Sequence, residues 1–438
     1  MIKTLNYTCQ GESHKATDKV CQDYSLTQTT KEGISIAIVC DGHGGERYFR
    51  SNFGAKFAAD VTLEKVLSLV YNTGDSLFEG KPFTAVGPTR TLKDAENINN
   101  VDKSLRRLFS SIIYSWNEKI KEHASANKLT EWEKKHVPEE YLREFVLGNK
   151  LEKQYGATLM VYVQTPRYWF AFHIGDGKCL FFQKNPIWSE PIPWDDNCFL
   201  NKTTSLCDSN AIEDFRYCYQ GDGSFPTAVF LGSDGLDDTF GESDNLANFY
   251  IQVIKMLADH GVERTENELR ISLPELSKRG SKDDMSVACV FNDDEIKDNK
   301  DLFIRYQIER IGKKMDEVES RIDKLKIRRD SLVEYHDEKT KIDYEYALKD
   351  LKAAKGLRKE LADKYNKITE ELPKGSIPKY QIEDEEEVIK GKEEIKNVKD
   401  TRRKKKQIKT IKIVYYYTKN PIKKRMSFKE FKLQKSSK

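Results

Sequence analysis

Short apolar runs recur through the first 295 residues, each stopped by Gly, Pro or Asp. Those at 34–40, 157–164, 168–174, 179–183, 228–231 and 285–291 are rich in Val, Ile, Phe, Tyr and Ala and predict β-strands. Between the first and second, SNFGAKFAADVTLEKVLSLVYN and VDKSLRRLFSSIIYSWNEKIKEH repeat apolar residues every three or four positions and predict helices. The stretch 185–223 is irregular, rich in Pro, Asp, Asn and Cys, and is expected to be a surface flap. Strands, then helices, then strands again predict an α+β fold of stacked layers.

From residue 304 the period changes. Ile304, Ile308, Ile311, Met315, Val318, Ile322 and Leu325 alternate in steps of four and three, the a/d spacing of a coiled coil. Arg329 and His336 fall where apolar residues are due. A second helical stretch then runs through Tyr344, Leu348, Leu351, Leu361 and Ile368, until Pro373 and Gly375 end it. A helical hairpin and a long interrupted coiled coil both fit. The densely charged flanks favour self-association, or a partner helix, through 304–372 over packing back on the globular part. Three regions are expected: 1–295, globular; 296–373, helical; and 374–438, a charged segment. The last holds an acidic patch (EDEEE, 383–387), a basic cluster (RRKKK, 402–406) and the β-prone IKIVYYY (411–417).

At 438 residues, with 38% hydrophobic and 11% aromatic residues, the chain can build a core and more than one structural unit. Its net charge of +3 hides an asymmetry. Residues 390–438 carry 19 basic and 4 acidic side chains, a balance of +15, which leaves −12 on the other 389. The eight cysteines form no C-x-x-C pair and several sit in apolar runs, as expected of small buried hydrophobes in a reducing compartment rather than of a disulfide frame or zinc site. No N-terminal apolar segment resembles a signal peptide and no run of about 18 apolar residues occurs, so no transmembrane segment and a cytoplasmic location are expected.

The residues at the strand ends suggest the chemistry. IAIVC ends in Asp41-Gly42-His43-Gly44-Gly45, YWFAFHI in Gly175-Asp176-Gly177, and AVFLG in Ser233-Asp234-Gly235 with Asp238 close behind. GSKDD, with Asp283, precedes MSVACVF, and Asp23 precedes Tyr24. If these segments pair side by side, their carboxylates gather at one end of the sheets. Clustered carboxylates out of bulk water repel and lose hydration, so either some take up protons or a cation sits among them. Hard divalent ions suit such oxygen donors. Gly42 and Gly235 are expected to let the backbone turn sharply beside the ion.

DGHGG, YGATL (155–159), HIGDGK (173–178), GSDGLDD (232–238) and GSKDDMSV (280–287), in this order, resemble the metal-dependent protein phosphatases of the PPM (type 2C) family. GESHKATDKVCQDY is similar to the first motif of that family's bacterial branch. The resemblance spans roughly 9–292 and implies a β-sandwich flanked by helices, holding two Mn²⁺ or Mg²⁺ ions with room for a third. It implies Asp41 as bridging ligand, Gly42 as carbonyl ligand, Asp234 and Asp283 completing the shells, and Asp23 acting through water. Asp176 and Asp238, with Asp234, would form the looser third site. It implies hydrolysis of phosphoserine and phosphothreonine in proteins by a metal-activated water, with His43 as the acid for the leaving oxygen and a Ser/Thr kinase acting in opposition. The arginine that grips substrate phosphate in many members has no counterpart. Lys19, Lys15 or His14, in that neighbourhood, is expected to take its place as the contact to substrate phosphate, His14 and Lys19 foremost, and Gln22 replaces the acidic residue often found before the Asp.

Two other readings use the same residues differently. One is a phosphatase-like adaptor that binds phosphoprotein without turnover, against which the intact set of acids speaks. The other is a nucleic-acid-associated protein acting through its basic tail, which would equally suit an anionic surface or simple solvation.

Overall fold

The computed structural model describes residues 1–88, 100–199, 202–333 and 337–381. The acidic patch, RRKKK, IKIVYYY and His336 lie outside the described residues, as does all but the first part of 374–438.

The apolar runs form strands β3 (Ser35–Cys40), β5 (Leu159–Gln164), β6 (Trp169–Ile174), β7 (Lys178–Phe182), β10 (Ala228–Gly232) and β11 (Met285–Asn292). Five further strands were not evident in the sequence: β1 (Ile2–Cys9), β2 (Tyr24–Thr29), β4 (Thr84–Val86), β8 (Trp188–Ser189) and β9 (Arg216–Gln220). One sheet runs β1-β11-β10-β7-β8 and the other β2-β3-β5-β6-β9-β4, with antiparallel pairing throughout. β1 and β2 escape a hydrophobic scan because polar side chains meet where these strands approach. Thr8 Oγ1 lies 2.7 Å from both Ser25 Oγ and Ser286 Oγ, and Asn6 Nδ2 donates to the Ser25 carbonyl at 3.1 Å.

The sheets stack face to face. Ala37, Val39, Met160, Tyr162, Ala171, Phe181, Val229, Leu231, Ala288 and Val290 fill the space between them. The alternate residues of the same strands face outward: Ile36, Ile38 and Cys40 of β3 point into a separate cluster. This period-two division explains why the central strands are apolar at every position.

The helices are α1 (Glu12–Ala16), α2 (Ser51–Thr73), α3 (Asn100–Ala126), α4 (Glu131–His136), α5 (Glu139–Val146), α6 (Leu151–Gln154), α7 (Ala211–Asp214), α8 (Asp234–Phe240), α9 (Ser243–Arg279), α10 (Asp293–Asp298), α11 (Lys300–Ser331) and α12 (Glu338–Thr369). Residues of α2 and α3 cover the outer face of the β3 sheet, and α9, interrupted at Gly261 (φ +76°), covers that of the β10 sheet. The sandwich flanked by helices is therefore present.

The stretch 185–223 departs from expectation. It contains β9, and Ser205, Leu206 and Cys207 are buried, because this segment packs beneath the ends of β3 and β6 rather than riding on the surface. The helical region is also corrected. The stripe expected to seek another helix is covered by α12 of the same chain and the residues just after it: Ile304, Ile308, Ile311 and Met315 pack with Ala362, Ile368 and Leu372, and Val318, Ile322 and Leu325 with Leu351 and Ala354. A hairpin is favoured because both halves are covalently joined, so no association entropy opposes their pairing. Packing also crosses residue 295, since Ile296 and Phe303 belong to the cluster formed by β11 and α9. All eight cysteines are free and seven are buried. Among the described residues no helix is long and apolar enough to cross a membrane.

Candidate metal centre

Antiparallel order brings the acids together. The end of β3 lies beside the starts of β2 and β5, the turn from β6 to β7 crosses between the sheets at the same edge, and β10 ends there as β11 begins. Carboxylate oxygens of Asp41, Asp176 and Asp234 lie within 4.8 Å of one another. Asp238 follows Asp234 by one turn on the same face of α8 and is exposed. Asp283 lies beside Gly235: a Cβ on that glycine would come 3.4 Å from the Asp283 Cβ. Asp23 is 7% exposed and its Oδ2 is buried with no hydrogen-bond partner.

The electrostatics agree with the geometry. Burial first, then the charges of Asp234, Asp23 and Asp176, hold the Asp41 carboxyl well above the usual range. Burial and the field of Asp284 do the same to Asp23. Asp234 is pushed up to about 7 by burial and by Asp176, Asp283 and Asp238, although a hydrogen bond with Asp41 opposes the shift. Burial raises Asp176 and Asp238 as well. Such a set of oxygen-only donors, one of them an unsatisfied buried oxygen, fits a hard divalent cation, whose charge would offset the repulsion.

The glycines serve a different purpose from the one expected. Neither Gly42 nor Gly235 has positive φ. A Cβ on Gly42 would come 2.5 Å from the Gln22 carbonyl oxygen, and one on Gly235 would collide with the Asp284 carbonyl oxygen. Close backbone approach, not a sharp turn, excludes a side chain. The turn itself falls at Gly175 (φ +127°).

His14 sits against the acids, a ring nitrogen lying within 4.8 Å of carboxylate oxygens of both Asp283 and Asp284. It is 8% exposed, and its Nδ1 lies 2.9 Å from Asp284 Oδ2, an ion pair that raises the imidazole pKa. Asp284 also accepts from the backbone N–H groups of Gly11 and Gln22, each at 2.6 Å, and so ties the N-terminal motif to β11. This role was legible only in the second Asp of GSKDD, which nothing local distinguishes from the first. Lys19 is half-buried and its Nζ donates to the Gly44 carbonyl at 3.1 Å, at the DGHGG loop. Gln22 donates to the His43 carbonyl at 3.1 Å and to Ser51 Oγ at 2.5 Å, bracing the same loop. His43 Nε2 is 2.7 Å from Ser205 Oγ, a partner the sequence did not suggest. Burial lowers the His43 pKa to about 4.

His173 accepts at Nδ1 from Arg216 at 3.1 Å. Arg216 also donates to the Gly175 carbonyl, so this buried pair supports the turn that carries Asp176.

Among solved structures, the S. agalactiae serine/threonine phosphatase is 16% identical to this chain, covering 66% of this chain and 99% of that one, with a TM-score of 0.39. PppA, a key regulatory component of T6SS in Pseudomonas aeruginosa, is 14% identical (66% and 97% covered, TM-score 0.39). The catalytic domain of the serine threonine protein phosphatase PstP, solved in complex with two manganese ions, is 12% identical (66% and 97% covered, TM-score 0.39). No curated protein sequence matches the chain. The family model described as Protein phosphatase 2C matches residues 10–273, which include all the acids gathered at this sheet edge except Asp283 and Asp284. With more than half of its length matched, the chain belongs to the protein phosphatase 2C family.

Proposed function

We propose that this protein is a metal-dependent serine/threonine protein phosphatase, its catalytic unit spanning 1–295 and braced by the helical hairpin. The observation that carries the reading is the juxtaposition of Asp41, Asp176 and Asp234 around a common space, beside the unsatisfied buried oxygen of Asp23. Asp41, Asp234, Asp283 and the Gly42 carbonyl would hold two divalent ions, Mn²⁺ or Mg²⁺, with Asp23 acting through water and Asp176 and Asp238 serving a looser third. Bound there, such ions supply an acidified water and neutralise the phosphoryl oxygens of an in-line displacement.

The chain's own residues do the rest. Lys19, held at the Gly44 carbonyl, offers a point charge to the substrate phosphate at the rim of the loop. His43 serves as the acid for the departing serine or threonine oxygen. Burial, which lowers its pKa to about 4, disfavours the charged imidazolium, and the arriving phosphate dianion would favour it.

The test compares full-length protein with Asp41→Asn on a phosphothreonine peptide, with and without Mn²⁺ or Mg²⁺. Phosphate release that needs the metal and disappears in the variant supports the reading. Binding of the peptide by a wild-type protein that releases no phosphate under any metal would favour the adaptor instead.

A further inference from the structure

Ser205 belongs to none of the motifs, yet it touches the acid. The residue is 2% exposed, and its Oγ lies 2.7 Å from His43 Nε2 and 3.1 Å from the Ala157 carbonyl oxygen, while the Cys207 N–H donates to it at 3.4 Å. A hydroxyl has one proton and two lone pairs. The Ala157 carbonyl can only accept, and it also takes the Leu206 N–H at 3.0 Å; with the Ser205 proton directed to that carbonyl, the lone pairs of Oγ face His43 and Cys207, whose Sγ lies 3.2 Å away. In that arrangement Nε2 carries hydrogen and donates to Ser205. His43 Nδ1, left with its lone pair, has no hydrogen-bond partner among the described residues.

The ring has little room to turn. Tyr48 stands edge-on to it, with centroids 4.7 Å apart and planes at 73°. Gly156 lies so close that an added Cβ would come 2.7 Å from His43 Cδ2. The neighbouring Thr204 Oγ1 accepts from the Gly175 N–H at 3.1 Å, so one short stretch of chain supports both His43 and the Asp176 turn.

We propose that Ser205 is a positioning residue that fixes the tautomer and plane of His43, making Nδ1 the nitrogen that passes a proton to the leaving oxygen. This rests on the phosphatase reading above. In the step, the water oxygen forms the new bond to phosphorus and releases a proton to solvent. The old P–O bond breaks with its electron pair going to the serine or threonine oxygen, which takes the Nδ1 proton. The imidazole is left as the Nε2–H tautomer that Ser205 already favours, and it regains its proton from solvent.

The first test reads the tautomer directly, by long-range ¹H–¹⁵N NMR of histidine-labelled, metal-free full-length protein. His43 should be Nε2–H in the wild type and in Ser205→Thr, and a mixture in Ser205→Ala. An Nδ1–H wild type, or an unchanged tautomer in Ser205→Ala, overturns the pairing whatever the protein's activity. The second test compares 4-nitrophenyl phosphate, whose leaving group needs little protonation, with the phosphothreonine peptide. Ser205→Ala should lose about 10-fold or more in kcat on the peptide, within the range of acid catalysis, and under about 2-fold on the aryl ester, with Ser205→Thr restoring both. Equal losses on the two substrates would mark a merely structural role and overturn the proposal. A wild type that hydrolyses neither substrate would sink the phosphatase reading, and with it the proton-transfer role, while the NMR result still decides the Ser205 contact.

Discussion

Replacing Asp234 by Asn should stabilise the metal-free protein at neutral pH while destroying its metal site. The fold raises the Asp234 carboxyl from 3.8 to about 7. Between those values the native state keeps a proton that the unfolded chain has released, so the native state binds more protons. Stability is therefore fully present below about pH 4 and is lost as pH rises through about 7. A difference of about 3 pH units corresponds to about 4 kcal/mol. An amide at this position carries no charge, so the variant escapes that loss. With an unfolding entropy of ~2 cal/mol/K per residue, an ordered unit of this size gains about 5 °C in Tm from 4 kcal/mol. The assay is thermal unfolding in EDTA across pH 4.5 to 8, followed by addition of Mn²⁺. Asp234→Asn should melt higher than the wild type at pH 7.5, the gap should close near pH 4.5, and Mn²⁺ should raise only the wild type. A variant that melts at or below the wild type at pH 7.5 without metal would refute the claim that burial, with the neighbouring carboxylates, makes the Asp234 charge costly in the folded state.

Three further outcomes are expected from the packing. Gly235→Ala forces a Cβ against the Asp284 carbonyl oxygen between two proposed ligands, so isothermal titration should show Mn²⁺ binding weakened at least tenfold, with a stability loss of about 1–3 kcal/mol. His14→Ala removes the imidazole from Asp284, whose backbone donors Gly11 and Gln22 remain, and should cost about 2 kcal/mol in urea unfolding at pH 5.5. Because the His14 pKa is raised above 6.5 and that of Asp284 lowered, this cost should shrink as pH rises through the folded value of His14; a cost that grows toward pH 8.5 would contradict the ion pair. Ile322→Ala, in the sealed seam of the hairpin, should destabilise by about 2–5 kcal/mol without changing the molar mass by light scattering, and a dimer that the variant splits would contradict an internal hairpin.

Much of the sandwich was legible because its central strands are buried on both faces and read as unbroken apolar runs. β1 and β2 were not, since Asn6, Thr8 and Ser25 hydrogen-bond one another across the layers and so look like loop residues. The acids at strand ends stood out through their position after apolar runs, and five ordered motifs carried the family resemblance. Ser205 and Asp284 did not stand out. Their partners are 162 residues away in one case and more than 260 in the other, and neither residue type at such a spacing marks a site.

What the sequence determined by itself was local: where the chain is apolar enough to pair, where it carries an acid at a strand's end, and that the helical stripe must be covered. Tertiary structure alone decided what covers that stripe, which carboxylates share a space, and that His14 pairs with Asp284. The reason is range. Periodicity and turn chemistry act over a few residues, whereas the pairing of charges and the desolvation that makes it matter depend on which distant segments the packed core brings into contact.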